Sequence, residues 1–195
     1  SIEALALAID AALQDPASRL AGQAVDLFGQ HTGATIALEL AALRPARVRR
    51  LALLGIPFVE PALREDWRRR FVQPRPWIAD PGYLGAQWRR SLETVAGLGL
   101  ADEECLARFA DALRAAPRSA WAFDAVFRYP FEERLALVGQ PALVIVVDEL
   151  IAANSRAAAA RLAAATIREM PRLDGRALDT APAALAAVLR EFLDA

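Results

Sequence analysis

The chain has 195 residues, a formal net charge of −1, one histidine (His31), one cysteine (Cys105) and 23 basic residues, every one of them arginine. One His and one Cys cannot build a tetrahedral zinc site, an iron–sulfur centre or a disulfide within the chain, and the lack of lysine removes Schiff-base chemistry and the phosphate-loop lysine, so no metal and no cofactor is expected. The near-neutral charge gives no electrostatic reason to expect nucleic acid or an anionic membrane surface as a partner.

At 55% hydrophobic and 24% charged residues the chain is apolar enough to bury a core, and its length suits one domain. Its apolar runs, such as residues 142–147, fall far short of the ~20 residues of a membrane span. Residues 1–13 hold Glu3 and Asp10 and have no basic start, so no secretory signal is read there and the cytoplasm is the expected location.

Residues 2–14 space apolar side chains at helical intervals, with Glu3 in the first turn, and predict an amphipathic helix. Residues 24–28, bounded by Gly22 and Gly29, predict a buried strand; residues 32–43 return to helical spacing and stop at Arg44-Pro45. Residues 49–54 predict a second strand closed by Gly55. Strand, tight turn, helix, strand is the unit of a parallel sheet.

Residues 58–131 change character. All four Trp, both Tyr and most of the Phe fall here, among arginine-rich helical stretches at 61–71, 82–96, 102–113 and 117–128. These read as a helical insert whose aromatics either pack helices together or line a groove. Cys105 reads as a packing residue, and Arg68-Arg69-Arg70, preceded by Glu65 and Asp66, as a solvated helix face.

From Pro141 the α/β pattern resumes. Residues 142–147 form the most β-branched run of the chain and lead into Asp148-Glu149-Leu150; residues 153–164 predict a helix, 166–170 a short strand and 182–193 an amphipathic closing helix.

The most specific signal is the run Gly29-Gln30-His31-Thr32-Gly33 between a strand and a helix. A residue between two glycines at such a turn is pushed out at the carboxyl end of the strand, where α/β sheets bind ligands. The first glycine is expected to permit the turn and the last to permit close approach of the helix, with the amide after residue 31 free to stabilise an oxyanion.

This spacing, G-x-nucleophile-x-G, resembles the nucleophile elbow of the α/β-hydrolase superfamily. The run VDLFGQHTGATIALELAALRPARVRRLALLGIP is similar to the strand, elbow, helix and next strand of that fold. QPALVIVVDEL resembles its strand carrying the triad acid, TAPAALAAVLREFL its last helix, and residues 58–131 sit where it places a cap. The resemblance implies a mostly parallel α/β sheet with flanking helices, a core of residues 1–57 and 132–195, and a helical cap insert over 58–131.

It also implies site residues. His31 takes the nucleophile position, Asp148 that of the triad acid, with Glu149 adjacent to it, and Gln30 and the Thr32 amide line the oxyanion side. The sequence departs from the pattern in two ways. The elbow carries His31 rather than Ser, Cys or Asp, and the loop MPRLDGRALDTAP, where the triad His is expected, holds Asp174, Arg176 and Asp179 instead. A Ser-His-Asp relay cannot be assembled. His31 then attacks, acts as a general base, or only binds, while Arg176 holds an anionic group or pairs with Asp148.

The fold's first half lies before the helix that opens this sequence. The strand at 24–28, apolar on both faces, is therefore expected to be covered by a missing amino-terminal segment or by another copy in a homo-oligomer. Two function classes follow: a hydrolase acting on an ester-like bond of a small apolar substrate, with lyase or cyclase chemistry open to the same base, or a non-catalytic relative that binds a small ligand or serves assembly.

Overall fold

A computed structural model describes residues 1–73 and 75–195. Its sheet has four strands, β1 (Val25–Gln30), β2 (Val48–Leu54), β3 (Ala142–Asp148) and β4 (Ala165–Asp174), in the order β1-β2-β3-β4 and parallel throughout. The helices are α1 (Ile2–Gln14), α2 (Thr32–Leu43), α3 (Pro61–Phe71), α4 (Pro81–Val95), α5 (Asp102–Ala115), α6 (Trp121–Phe127), α7 (Phe131–Leu135), α8 (Ala152–Ala159), α9 (Ala177–Thr180) and α10 (Pro182–Leu193). Among the described residues no helix is long and apolar enough to cross a membrane.

The period-2 alternation of a strand builds three layers. From β3, Ala142, Val144 and Val146 face a core shared with α1, α2 and α8, while Leu143, Ile145 and Val147 face a second core closed by α9 and α10 through Ala177 and Leu185. Burial on both faces is why β3 reads as an unbroken apolar run. The outer edge of β1 pairs with no strand among the described residues, and Phe28 there is partly exposed.

Several bounds differ from the sequence expectation, for physical reasons. β1 extends to Gln30 because Gly29 and Gln30 stay in register with Leu53 and Leu54. β4 extends to Asp174 because pairing with β3 continues past Met170. The stretch 117–128 begins as a 3-10 turn, Ala116–Arg118, before α6, and the short α7 and α9 lie outside every helix expected.

The two ends of the stretch 58–131 share the main core, since Phe58, Val59, Val126, Phe127, Tyr129 and Phe131 are buried in it, while α4 and α5 between them bury no residue. Charges tie these ends down. Glu39 of α2, almost fully buried, accepts two bonds from the Arg134 guanidinium (2.7 and 2.9 Å) and one from the Tyr129 hydroxyl (2.7 Å). Burial, and then the Glu39 charge, push the Tyr129 phenol far above its ordinary range, so it stays a donor. Arg68 of α3 binds Asp124 of α6 at 2.6 Å, and Arg64 binds Glu132 of α7.

Glu39→Ala leaves the Arg134 charge without its partner and is expected to cost about 3 kcal/mol, read as a lowered midpoint in urea unfolding. Asp124 is held below the usual carboxylate range, first by its bond to Arg68 and then by that to Arg128. A carboxylate whose folded pKa is depressed stabilises above its unfolded value, near ~4, and loses that contribution as pH falls through the folded value. Asp124→Asn should therefore lower the melting temperature at pH 7, and the gap to wild type should narrow as pH falls through and below the ordinary carboxylate range.

Candidate active site

Only His31 separates the end of β1 from the start of α2. Its N–H donates to Leu54 O (3.0 Å), continuing the ladder, and its carbonyl accepts from Thr35 N (3.2 Å), opening the helix. One residue must make the whole change of direction. It does so at φ 51°, ψ −115°, the one positive φ at a non-glycine among the described residues. Such a conformation costs about 1–3 kcal/mol and persists where the surroundings impose it.

The glycines work differently from the sequence expectation. A Cβ on Gly29 would lie 2.5 Å from Gly33 O and 2.7 Å from the Ala34 Cα, so Gly29 is the residue that lets the helix fold back over the strand. At Gly33 a Cβ would meet nothing within 4 Å. The turn itself is made by His31.

The imidazole thrown out by this turn meets Glu149, with Nε2 to Oε2 at 2.7 Å. Two glycines leave room for the pair. A Cβ on Gly55 (φ +67°) would sit 2.5 Å from both Glu149 Oε1 and His31 Cδ2, and one on Gly175 would sit 2.9 Å from Glu149 Oε2. Gln30 holds the second of these turns in place by donating to Gly175 O at 2.7 Å. Glu149 Oε1 is buried without a hydrogen-bond partner among the described residues. With the carboxylate ionised, Nε2 carries the ring proton and Nδ1 keeps a lone pair. Nδ1 makes no hydrogen bond and is not among the buried unpaired atoms, so it is open to a ligand.

Above the pair lies a cavity of about 320 Å³ that includes His31, Thr32 and Glu149 in its lining. The rest is apolar: Pro57, Leu150 and Ile151 around the mouth of the sheet, Trp67 and Phe71 from α3, and Phe123, Val126 and Phe127 from α6. Phe71 stacks on Phe123 (15° between planes) and on Phe127 (29°), which makes a flat aromatic wall. A larger cleft of about 740 Å³, between α1, α2 and α6, contains neither His31 nor Glu149. No group of three or more His, Cys, Asp or Glu is arranged to hold a metal among the described residues.

The expected partner residues are placed differently. Asp148 does not reach His31: it is exposed, lies opposite Asp174 in the ladder and lines a separate cleft with Arg172 and Arg176. β3 ends at Asp148, so Glu149 is the first side chain freed from the ladder and the one that turns over Gly55. Arg176 pairs with Asp174 (3.0 Å) and donates to Thr94 O of α4 (3.2 Å), not to Asp148. Its guanidinium and its backbone N–H both hold the Asp174 carboxyl below the usual range. Thr32 begins α2 beside His31, and its N–H has no partner among the described residues. Sequence reasoning read Gly55 only as the close of a strand and passed over Gly175; their role at the site exists only once three loops converge.

His31 is the one imidazole, so ¹⁵N NMR reads it without assignment ambiguity. The Nε2–H tautomer should dominate in the wild type and lose its bias in Glu149→Ala. Gly29→Ala, which drives a Cβ into backbone, should destabilise by about 2 kcal/mol or more, and Gly55→Ala should displace the His31 signals as well as lower stability.

No protein-family model matches the sequence, and no curated protein matches it. Solved structures do. Est816, an N-acyl homoserine lactone degrading enzyme, is 24% identical, with a TM-score of 0.67 over 99% of this chain and 75% of its own. MenH from S. aureus is 16% identical, with a TM-score of 0.73 over 100% and 75%. An alpha/beta hydrolase from a Medee basin deep-sea metagenome library is 16% identical, with a TM-score of 0.67 over 97% and 70%. With its parallel sheet, its elbow at residue 31 and these likenesses over nearly its whole length, the chain has the α/β-hydrolase fold.

Proposed function

We propose that the chain hydrolyses an ester-like bond in a small, largely apolar substrate, with the His31–Glu149 pair as its catalytic centre. The observation that carries this reading is the 2.7 Å bond from Nε2 to Glu149, which leaves Nδ1 unpaired on a ring that lines an apolar cavity at the strand-to-helix turn. A carboxylate that fixes the tautomer and balances charge on the ring is what makes an imidazole an effective proton acceptor or nucleophile.

The substrate's apolar part lies against Phe71, Phe123 and Phe127. The Thr32 N–H, unpaired at the start of a 12-residue helix, faces the charge that develops on the carbonyl oxygen. Glu149 takes the supporting role that the resemblance assigned to Asp148. The fold is shared with hydrolytic enzymes, one of which degrades an N-acyl homoserine lactone, a cyclic ester.

A second reading, a relative that only binds its ligand in this cavity, draws on the missing hydroxyl at residue 31 and the missing imidazole in the loop at 174–180. Short p-nitrophenyl esters separate the two. The first reading expects turnover by the wild type, its loss in His31→Ala, and a fall in kcat of about 10²-fold or more in Glu149→Ala. A folded wild type that releases no nitrophenol from any ester, yet protects the cavity on binding an apolar ligand, supports the second.

A further inference from the structure

We infer that His31 is itself the covalent nucleophile, taking the acyl group of an uncharged ester onto Nδ1; this rests on the hydrolase reading above. Three groups in the cavity carry lone pairs: the imidazole, the Thr32 hydroxyl and the Glu149 carboxylate. Glu149 Oε2 is engaged with Nε2, and Oε1 is buried where Gly55 closes over it. The Thr32 hydroxyl forms no hydrogen bond with any side chain among the described residues, so no base is in place to take its proton. Nδ1 is unpaired and, unlike the Thr32 hydroxyl, attacks without first losing a proton.

The alternative first step, His31 removing a proton from water, needs that water held in place. An ordered water takes 2–4 polar partners. In the cavity such a water finds Nδ1 and Thr32 beside a largely aromatic and aliphatic lining, and an apolar acyl group laid on Phe71, Phe123 and Phe127 displaces it. The same lining sets the substrate class. With the Glu149 carboxylate to repel an anionic acyl group and the aromatic wall to receive an apolar one, the site selects neutral apolar acyl groups.

The chemistry closes. The Nδ1 lone pair forms a bond to the carbonyl carbon, the C–O bond breaks, and the alcohol oxygen leaves with that electron pair. The Nε2 proton passes to Glu149, leaving a neutral N-acylimidazole, and through solvent it balances the departing alkoxide. Water then adds to the acyl carbon and the C–N bond breaks. The hydroxyl stays on the released acid and the second water proton restores the imidazole.

The test uses p-nitrophenyl and phenyl esters of one carboxylic acid, with hydroxylamine competing against water. A shared acyl-imidazole requires the same hydroxamate-to-acid ratio from both esters, and acid quenching early in the reaction should give a protein heavier by one acyl group, on the peptide containing His31. Thr32→Ala should keep that adduct; His31→Ala and His31→Asn, checked for folding by circular dichroism, should lose both adduct and turnover. Turnover with ratios that depend on the leaving group, or an adduct on Thr32, overturns the inference while leaving the hydrolase reading intact. Absence of both turnover and adduct in folded wild type overturns the two together.

Discussion

A strand and a helix joined through one residue leave that residue no choice of conformation, and much of the site follows from this at His31. Its N–H is committed to Leu54 O in the sheet and its carbonyl to Thr35 N in the helix, so the backbone between them is driven to φ 51°. The energetic cost is met by the pairing of β1 with β2 and by the close approach of α2 that Gly29 permits. In return the imidazole has a fixed origin and direction at the carboxyl end of the sheet. Without that fixed origin, the 2.7 Å contact with Glu149 would depend on loop positions alone.

The second constraint is space. The dyad is assembled from three separate strand ends: His31 after β1, Gly55 after β2 and Glu149 after β3, with the Gly175 turn after β4 closing the fourth side. Any Cβ at Gly55 would occupy the volume of the pair, so the two glycines act as the walls of the slot that the His31–Glu149 pair fills. Gln30, on the residue before the elbow, reaches across to Gly175 O and thereby couples the strand that presents His31 to the turn that confines Glu149. The long helical stretch contributes from above, because Phe71 of α3 and Phe123 and Phe127 of α6 are held in a stack anchored through the Arg68–Asp124 bond.

The parallel sheet, its order of elements and the elbow were legible in the sequence because local patterning decides them: β3 is apolar at every buried position, and α2 keeps its apolar side from Ile36 to Leu43. The site was legible only in part. His31 stood out, and two neighbouring carboxylates were read as its candidate partners, Asp148 first and Glu149 beside it; which of them reaches the ring depends on where pairing with β4 ends. In a strand one residue of slip changes the direction of every side chain. The division of labour between Gly29 and Gly33 was likewise invisible, since it turns on a backbone oxygen 2.5 Å from an absent methyl.

Charge is distributed so that the cavity stays apolar around a single ionisable pair. Arg176 occupies the loop position where the resemblance places an imidazole, and an always-charged guanidinium there would by itself make the site an anion receptor. It is drawn off by Asp174 and by Thr94 O at the far side of the turn, leaving Gly175 as the face that the loop presents to Glu149. Asp148 is turned into that same outer cleft. Two carboxylates and the arginines thus form a separate polar surface, and the inner cavity is left with one carboxylate and one imidazole beside Thr32 and a largely apolar lining. Electrostatic interactions strengthen as water and competing charges are removed, so this partition gives the His31–Glu149 bond its influence over whatever enters.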